Sequence, residues 1–305
     1  MSVKYLKNSQ IDFVKWDKCI AASANAMIYG YAWYLNIVAK DWDALVEDDY
    51  VSVMPLTYRV KYGVKYLYQP YFTQQLGVFS KELISNEKVE YFLTSIPLDF
   101  KYIDIVLNTQ NFLDSKDFEI KEMVTYELDM ITSTKKLLSG YSENTKRNLS
   151  KSGEDEISIN DNVLPEEAMG FIQKNITEKM QDLKPNDLKL LQNLINNLYE
   201  NRCARIIGAY TPDIQLCALA VFVYSIHKVI FLVSVSNEIG KKNRAMFMIV
   251  NKFITTNSGQ AITIDFEGSQ IEGVARFYAG FGATPVKFLA VKQNRLPKWT
   301  RWLKK

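Results

Sequence analysis

Apolar positions in the first half of the chain follow both helical and strand periods. Over residues 11–40, large apolar side chains recur at helical spacing, which predicts a helical segment. Shorter runs rich in β-branched and aromatic residues, separated by turn residues, predict strands. The other elements predicted here are a helix over 86–96 and strands over 50–55, 56–60, 64–69, 102–108 and 118–130.

The second half alternates predicted helices and strands more regularly. Three strands are predicted between residues 203 and 236, and His227 lies where a hairpin turn is expected between two of them. A helical apolar stripe then begins at Met246. The predicted elements are helices over 143–151, 166–179, 186–200 and 245–257, and strands over 157–160 and 261–266.

The two halves share an order of elements: hairpin, loop, helix and strand. This order runs through 50–69, 70–80, 86–96 and 102–108, and again through 215–236, 237–244, 245–257 and 261–266. We therefore predict a duplicated domain, in which one copy kept a ligand-binding loop.

The composition indicates a globular protein of a reducing compartment. Of the 305 residues, 48% are apolar and 13% aromatic, enough for a packed core, and a net charge of +3 alone does not indicate nucleic-acid binding. Three scattered cysteines and a single histidine offer no disulfide framework and no metal spacing. Residues 1–10 lack a signal-peptide core, and the longest apolar run, 217–224, is too short to cross a bilayer. We expect a cytoplasmic protein without a metal.

A basic segment with one glycine precedes the helix predicted over 245–257. Unpaired backbone N–H groups and the helix dipole favour an anion at a helix start, so this segment is predicted to hold a pyrophosphate group. The alternative is a solvated basic turn. The predicted cofactor-binding residues of the segment are Gly240, Lys241, Lys242, Asn243, Arg244 and Ala245.

From this segment onward, the order of motifs resembles the GNAT acyltransferase superfamily, in which such a loop binds the pyrophosphate of coenzyme A. Tyr278 and Gly282 match the family's tyrosine–glycine corner. The resemblance is closer to FemAB-like proteins, which have two GNAT-like domains in tandem. The matching segments are SENTKRNLSK (142–151), DFEG (265–268) and FYAGFG (277–282), in which Tyr278 replaces a lysine.

This resemblance implies an α/β (α+β) fold of two tandem GNAT-like domains, each with a mixed central sheet flanked by helices. Residues 1–133 would form a degenerate domain on the acceptor side, and residues 134–305 the donor domain. It also implies acetyl-CoA or another acyl-CoA as donor. The strand before the loop would splay from its neighbour, and backbone groups around Val233 and Val235 would face the pantetheine arm.

Three residues are predicted to carry the chemistry. Asp265 and Glu267 lie two residues apart at a strand end, so both point to one face. Either carboxylate can accept the proton of an attacking amine; the alternative is an ion pair with Arg276 or Lys241. The resemblance places Tyr278 beside the thioester sulfur, where a phenol can hydrogen-bond the leaving thiolate, or else it is a core tyrosine.

The predicted acceptor side is rich in neutral hydrogen-bonding groups. Residues 69–75 are expected to line a cleft between the domains or to form an ordinary packed loop. Arg147 lies on a basic helix, for which the alternative is a solvated face. The predicted substrate-binding residues are Gln69, Tyr71, Gln74, Trp33 and Arg147.

These features together predict an N-acyltransferase that moves an acyl group from acyl-CoA to an amine by direct attack, with no Cys–His or Ser–His pair to suggest a covalent intermediate. The acceptor is a small molecule or peptide. Two alternatives stay open: an aminoacyl-tRNA-dependent cell-wall peptide ligase of FemAB type, which the replacement of lysine by Tyr278 disfavours, and a non-catalytic binding protein on a degenerate GNAT scaffold. A basic C-terminal tail could contact an anionic surface, such as membrane headgroups, tRNA or a phosphorylated acceptor, or instead pack its tryptophans on the domain. It contains Lys292, Arg295, Lys298, Trp299, Arg301, Trp302 and Lys304.

Overall fold

The computed structural model describes residues 2–152, 157–175, 183–268 and 271–297. The chain forms two compact units. The first unit runs to Met123 and includes the chain from Lys287 on, and the second unit comprises Val124–Val286. The predicted boundary at 133/134 falls later in the chain than this division, and the domain limits 1–133 and 134–305 stay a prediction.

The elements are numbered along the chain. The described strands are β1 (Val3–Leu6), β2 (Asp41–Glu47), β3 (Ser52–Lys61), β4 (Val64–Leu67), β5 (Phe79–Ser80), β6 (Phe100–Val106), β7 (Glu119–Asp129), β8 (Ser158–Asn160), β9 (Ala204–Tyr210), β10 (Leu216–Tyr224), β11 (Lys228–Ser236), β12 (Thr263–Asp265) and β13 (Thr284–Asn294). The described α-helices are α1 (Phe13–Ala22), α2 (Ala32–Val38), α3 (Asn86–Thr94), α4 (Thr134–Ser139), α5 (Glu143–Ser152), α6 (Pro165–Lys174), α7 (Pro185–Glu200), α8 (Glu238–Lys242), α9 (Ala245–Asn257) and α10 (Glu272–Ala279).

Each unit contains a mixed sheet, and the two sheets share one strand pattern. In the first unit β1, β2, β3 and β4 pair antiparallel in sequence, β4 pairs parallel with β6, and β6 pairs antiparallel with β13. In the second unit β8, β9, β10 and β11 pair antiparallel, β11 pairs parallel with β12, and β12 pairs antiparallel with β7. The parallel pair encloses α3 in one unit and α8 and α9 in the other, because a parallel connection needs a crossover.

Each unit has its own apolar core. In the first, α3 buries Val89, Phe92 and Leu93 in a cluster with residues of the strands. In the second, α9 buries its apolar stripe on the sheet, and Phe253 stacks on Phe222 with ring centroids 3.9 Å apart. The period of the stripe was therefore a correct guide to the buried face of α9.

Several element predictions need correction. The runs predicted over 50–55 and 56–60 form one strand, β3, which continues through Pro55. On one side of β3, β5 pairs with Ser52 and Val53, and β4 pairs only from Tyr58 on. Pro55 lies between these two partners, where a residue without a backbone N–H is tolerated. Residues 11–40 form α1, a 3-10 turn at Ile28–Gly30 and α2. The strands β1, β2, β5 and β13 and the helix α4 were missed.

Candidate functional site

The second unit contains an open strand edge. The parallel ladder between β11 and β12 covers only Lys228–Ile230, whereas β11 continues to Ser236. On its other side β11 stays paired with β10 as far as Ser236. Within the described residues, the segment from Phe231 to Ser236 therefore has a free edge where β12 has ended. This segment includes Val233 and Val235, the predicted contacts of the pantetheine arm.

A buried charge cluster lies under the start of this edge. Asp265, only 1% exposed, accepts hydrogen bonds from the Thr125 hydroxyl (2.5 Å) and the Glu267 backbone N–H (2.9 Å). Lys228 Nζ lies 2.6 Å from Glu127 and 3.5 Å from Asp265. Burial lowers the pKa of Lys228, but the charges of Asp265 and Glu127 raise it by more, so the net pKa lies above its usual value. Asp265 is thus an anchored, ion-paired carboxylate, and its predicted catalytic role stays a prediction.

Glu267 differs from Asp265 in its environment. Its backbone adopts a left-handed conformation (φ 56°), held by the bond from its N–H to Asp265. Burial raises the pKa of its carboxyl to about 8. The next residue, Gly268 (φ 42°), passes so close to β7 that a Cβ would lie 2.0 Å from the Val124 carbonyl oxygen. A left-handed pair of residues therefore turns the chain sharply away at the end of β12.

Tyr278 lies on α10 with its ring against the open edge. Its centroid is 4.8 Å from that of Phe266, on which it stacks, and 6.1 Å from that of Phe231, the first residue of the free edge. The side chain is buried, and its hydroxyl has no hydrogen-bond partner among the described residues. Burial, with the nearby charges of Glu267 and Asp265, raises the pKa of Tyr278 above its usual range. The phenol therefore stays neutral near physiological pH, and its hydroxyl can donate a hydrogen bond.

The basic segment differs in structure from the predicted loop. Residues Glu238–Lys242 form the short helix α8, capped by the Asn237 side chain, which accepts from the Gly240 N–H at 2.9 Å. A Cβ at Gly240 would lie 2.2 Å from the Cys217 carbonyl oxygen, so this glycine is required for packing on β10. The Gly240 N–H already donates to the Asn237 side chain, so this amide has a hydrogen-bond partner within the protein.

Only Asn243 and Arg244 lie between the end of α8 and the start of α9 at Ala245, so the loop is shorter than predicted. Arg244 has a left-handed backbone (φ 55°), and its Nε donates to Asn148 on α5 at 3.1 Å. Lys241 is exposed and pairs with Glu238 at 2.8 Å. The predicted phosphate-binding role of this region stays a prediction.

The helix α5 carries Arg147 on an exposed face. Arg147 Nη2 donates to Asn144 of the same helix at 2.9 Å. The buried contact of α5 is made instead by Thr145. A Cβ built at Gly280 would lie only 2.5 Å from the Thr145 hydroxyl oxygen. The small residue at the end of α10 therefore lets the two helices approach closely.

The predicted acceptor residues of the first unit are largely occupied by internal bonds. Gln69 donates to the Thr73 carbonyl (2.7 Å) and accepts from the Val106 N–H (3.0 Å), so it ties the loop to β6. Gln74 accepts a bond from Gln75. Tyr71 is 44% exposed, and Trp33 packs edge-on against Tyr34. Whether these residues bind an acceptor stays a prediction.

Sequence reasoning missed the residues that hold Asp265 in place. Lys228, Glu127 and Thr125 stand on two strands far apart in the chain, and their meeting depends on the ladder of β7 with β12. The available signal was a lysine, Lys228, placed directly before the apolar run 229–233. A charged residue there requires a partner when the strand is buried.

Part of the predicted basic tail belongs to the described chain. Lys292 lies 3.6 Å from Asp104, and Arg295 Nη1 donates to the carbonyl groups of Ile96 and Pro97 at 3.1 Å. Both cations are therefore bound within the first unit. The predictions for Lys298, Trp299, Arg301, Trp302 and Lys304 fall outside the described residues.

Comparisons with solved structures identify the fold. FemX matches with a TM-score of 0.67 at 12% identity, covering 100% of both chains. The C-terminal domain of a putative lysylphosphatidylglycerol synthetase from Agrobacterium fabrum matches with a TM-score of 0.56 at 7% identity, covering 93% of this chain and 92% of that one. L-PGS from Bacillus licheniformis gives 0.56 at 9%, covering 95% and 94%. No family model and no curated protein matches the sequence.

The chain therefore has the same fold as FemX and L-PGS. In this fold the open edge of β11, the turn after β12 and the helix α10 occupy one region of the second unit. Among the described residues, no helix is long and apolar enough to cross a membrane, and no group of His, Cys, Asp and Glu has the arrangement of a metal site.

Proposed function

We propose that the chain is an N-acyltransferase that moves an acyl group from an acyl-CoA thioester to an amine. The observation that carries the proposal is the free edge of β11 from Phe231 to Ser236, with Glu267 and Tyr278 beside its start. A strand edge offers unpaired backbone groups to an extended ligand, as the pantetheine arm is in GNAT proteins. The resemblance of the sequence motifs to FemAB-like GNAT proteins supports this proposal.

The two side chains are suited to different steps. As the amine attacks the thioester carbonyl, the C–N bond forms and the ionised form of Glu267 takes the amine proton. Because its pKa is about 8, this form becomes more abundant as the pH rises through neutrality, and it is a stronger base than an ordinary carboxylate. The C–S bond then breaks, and the thiolate leaves with a hydrogen bond from Tyr278. The raised pKa of Tyr278 makes it a weaker acid than a thiol, so it stabilises the thiolate without transferring its proton.

Asp265 has a positioning role in this scheme. Its carboxylate accepts hydrogen bonds from Thr125, Lys228 and the Glu267 N–H. The bond from the Glu267 N–H fixes the turn that carries Glu267. The donor phosphates are expected at the start of α9, near Arg244 and the exposed Lys241 and Lys242 of α8.

A thermal-shift screen of the full chain with acetyl-CoA, longer acyl-CoAs and aminoacyl-tRNA tests the donor class, since a ligand bound only by the native state raises its apparent stability. We expect stabilisation by acyl-CoA, and release of free thiol when an amine acceptor is present. Stabilisation by aminoacyl-tRNA alone would favour the FemAB-type peptide ligase instead. A response to no donor would leave the non-catalytic binding protein as the better account.

A further inference from the structure

A pocket lies in the Val124–Val286 unit, at the far end of its sheet from the open edge. It has a volume of about 720 Å³ and opens where α7 ends, β9 begins and α9 ends. Because β10 and β11 are antiparallel, Tyr224 at this end pairs with Val229, whereas the open edge pairs with the opposite end of β10. The pocket is therefore separate from the proposed transfer site.

Two arginines face this pocket without a carboxylate partner. Arg202 follows α7 in a left-handed conformation (φ 56°), and Arg205 is half-buried on β9. Neither guanidinium makes an ion pair or hydrogen bond within the part of the chain that the structure describes. Arginine keeps its charge at any physiological pH, and its planar fork matches the oxygens of a carboxylate or phosphate group. The two guanidinium groups, three residues apart in the chain, can together bind one oxyanion group.

The rest of the lining is mostly polar and uncharged, apart from Ala204 and the exposed carboxylate of Glu200. Tyr224 lies beside the Asn257 amide, and burial raises the pKa of Tyr224, which the Arg205 charge partly opposes. Tyr199 donates to Asn162 at 3.2 Å. These groups, with Gln260, can exchange hydrogen bonds with hydroxyl or amide substituents of a ligand.

We propose that this pocket binds a small polyhydroxylated organic anion. Its phosphate or carboxylate group lies between Arg202 and Arg205, and its hydroxyl groups face Tyr224, Asn257 and Gln260. The assignment rests on the pocket alone and holds whether or not acyl transfer occurs at the other end of the sheet.

Calorimetric titration of the full chain with three probes of similar size tests the proposal. Glucose 6-phosphate presents a phosphate, gluconate a carboxylate, and glucose neither. We expect one or both of the anions to bind and glucose not to bind. Binding of neither anion at about 10 mM, or equal binding of glucose, would overturn the proposal.

Variants locate the binding. The double variant Arg202→Gln/Arg205→Gln is expected to weaken anion binding about tenfold or more, because it removes charge-assisted hydrogen bonds. Lys174→Gln, an exposed residue outside the pocket, removes a like charge and should leave binding unchanged. If thermal melting shows that the double variant is unfolded, the single variant Arg202→Gln, at an exposed position, replaces it with a smaller expected loss. Unchanged affinity in the folded arginine variants would contradict the site.

Discussion

Asp265 and Glu267 illustrate how two neighbouring carboxyl groups acquire different properties at the residue scale. Asp265 is surrounded by a hydroxyl, a backbone N–H and an ammonium group, whereas burial alone raises the pKa of Glu267 to about 8. The sequence predicted that both lie at one strand end, which the register confirms for Asp265. It did not distinguish them, because the difference comes from Lys228 and Thr125 on other strands.

Glu267 gives a pH prediction that needs no substrate. Its pKa is raised from 4.5 to about 8 on folding, so between these values the native state binds more protons than the unfolded state. The free energy of unfolding contributed by this group is therefore present below pH 4.5 and is lost as the pH rises through 8. Denaturant unfolding of wild type and Glu267→Gln across this range measures it. A difference between the two proteins that does not change with pH would contradict the raised pKa.

Tyr278 gives a kinetic prediction. If its hydroxyl stabilises the leaving thiolate, the interaction exists mainly in the transition state, and Tyr278→Phe should lower the maximal rate by about 10–100-fold. Donor affinity and stability should change little. Tyr210→Phe, which removes a hydroxyl bonded to Glu167 elsewhere in the unit, is the matched control. An unaltered rate of thiol release in the Tyr278 variant would exclude this role.

At the scale of elements, the turn after β12 depends on close approach as well as on hydrogen bonds. The DFEG segment was recognisable in the sequence, but the reason for its glycine was not, since Gly268 packs on a carbonyl group of β7. The same holds for Gly240, whose neighbour is Cys217 on β10. Periodicity predicts which face of an element is buried, whereas these contacts between distant strands leave no local pattern.

Gly268→Ala is expected to destabilise the protein by about 1–3 kcal/mol, since the new Cβ meets the Val124 carbonyl and the left-handed backbone is strained for alanine. Gly273 on α10 has open space around its Cβ position, so Gly273→Ala should be neutral or stabilising by up to about 1 kcal/mol. Urea unfolding compares the two. Equal effects in both variants would show that the turn tolerates a side chain.

The charge cluster beneath the turn provides another prediction at this scale. Lys228→Met leaves Asp265 and Glu127 without their cation in a buried position, so the expected loss is about 3–5 kcal/mol. Adding Asp265→Asn and Glu127→Gln to that variant should recover part of it, because the unpaired charges are then removed. Chemical denaturation of these proteins decides the matter: no recovery would mean that Lys228 acts through packing alone.

At the scale of the whole molecule, the repeated order of elements predicted from the sequence corresponds to two units with the same strand order and orientation. The hairpins, crossover helices and parallel strands were predictable because their apolar periods are local. The last strand of each sheet was not predictable as part of its unit, because β13 joins the first sheet from the far end of the chain. Strand pairing over such distances depends on packing and not on local sequence.

The central claim is that acyl-CoA binds in the second unit, along the free edge of β11 with its phosphates at the start of α9. Calorimetric titration of coenzyme A into wild type and into the variant Lys241→Ala/Lys242→Ala/Arg244→Ala tests it most directly. Since charge-assisted phosphate contacts contribute about 1.5–3 kcal/mol each, we predict saturable binding to wild type that weakens at least about tenfold in the variant. Absence of coenzyme A binding to the wild-type chain would contradict the claim.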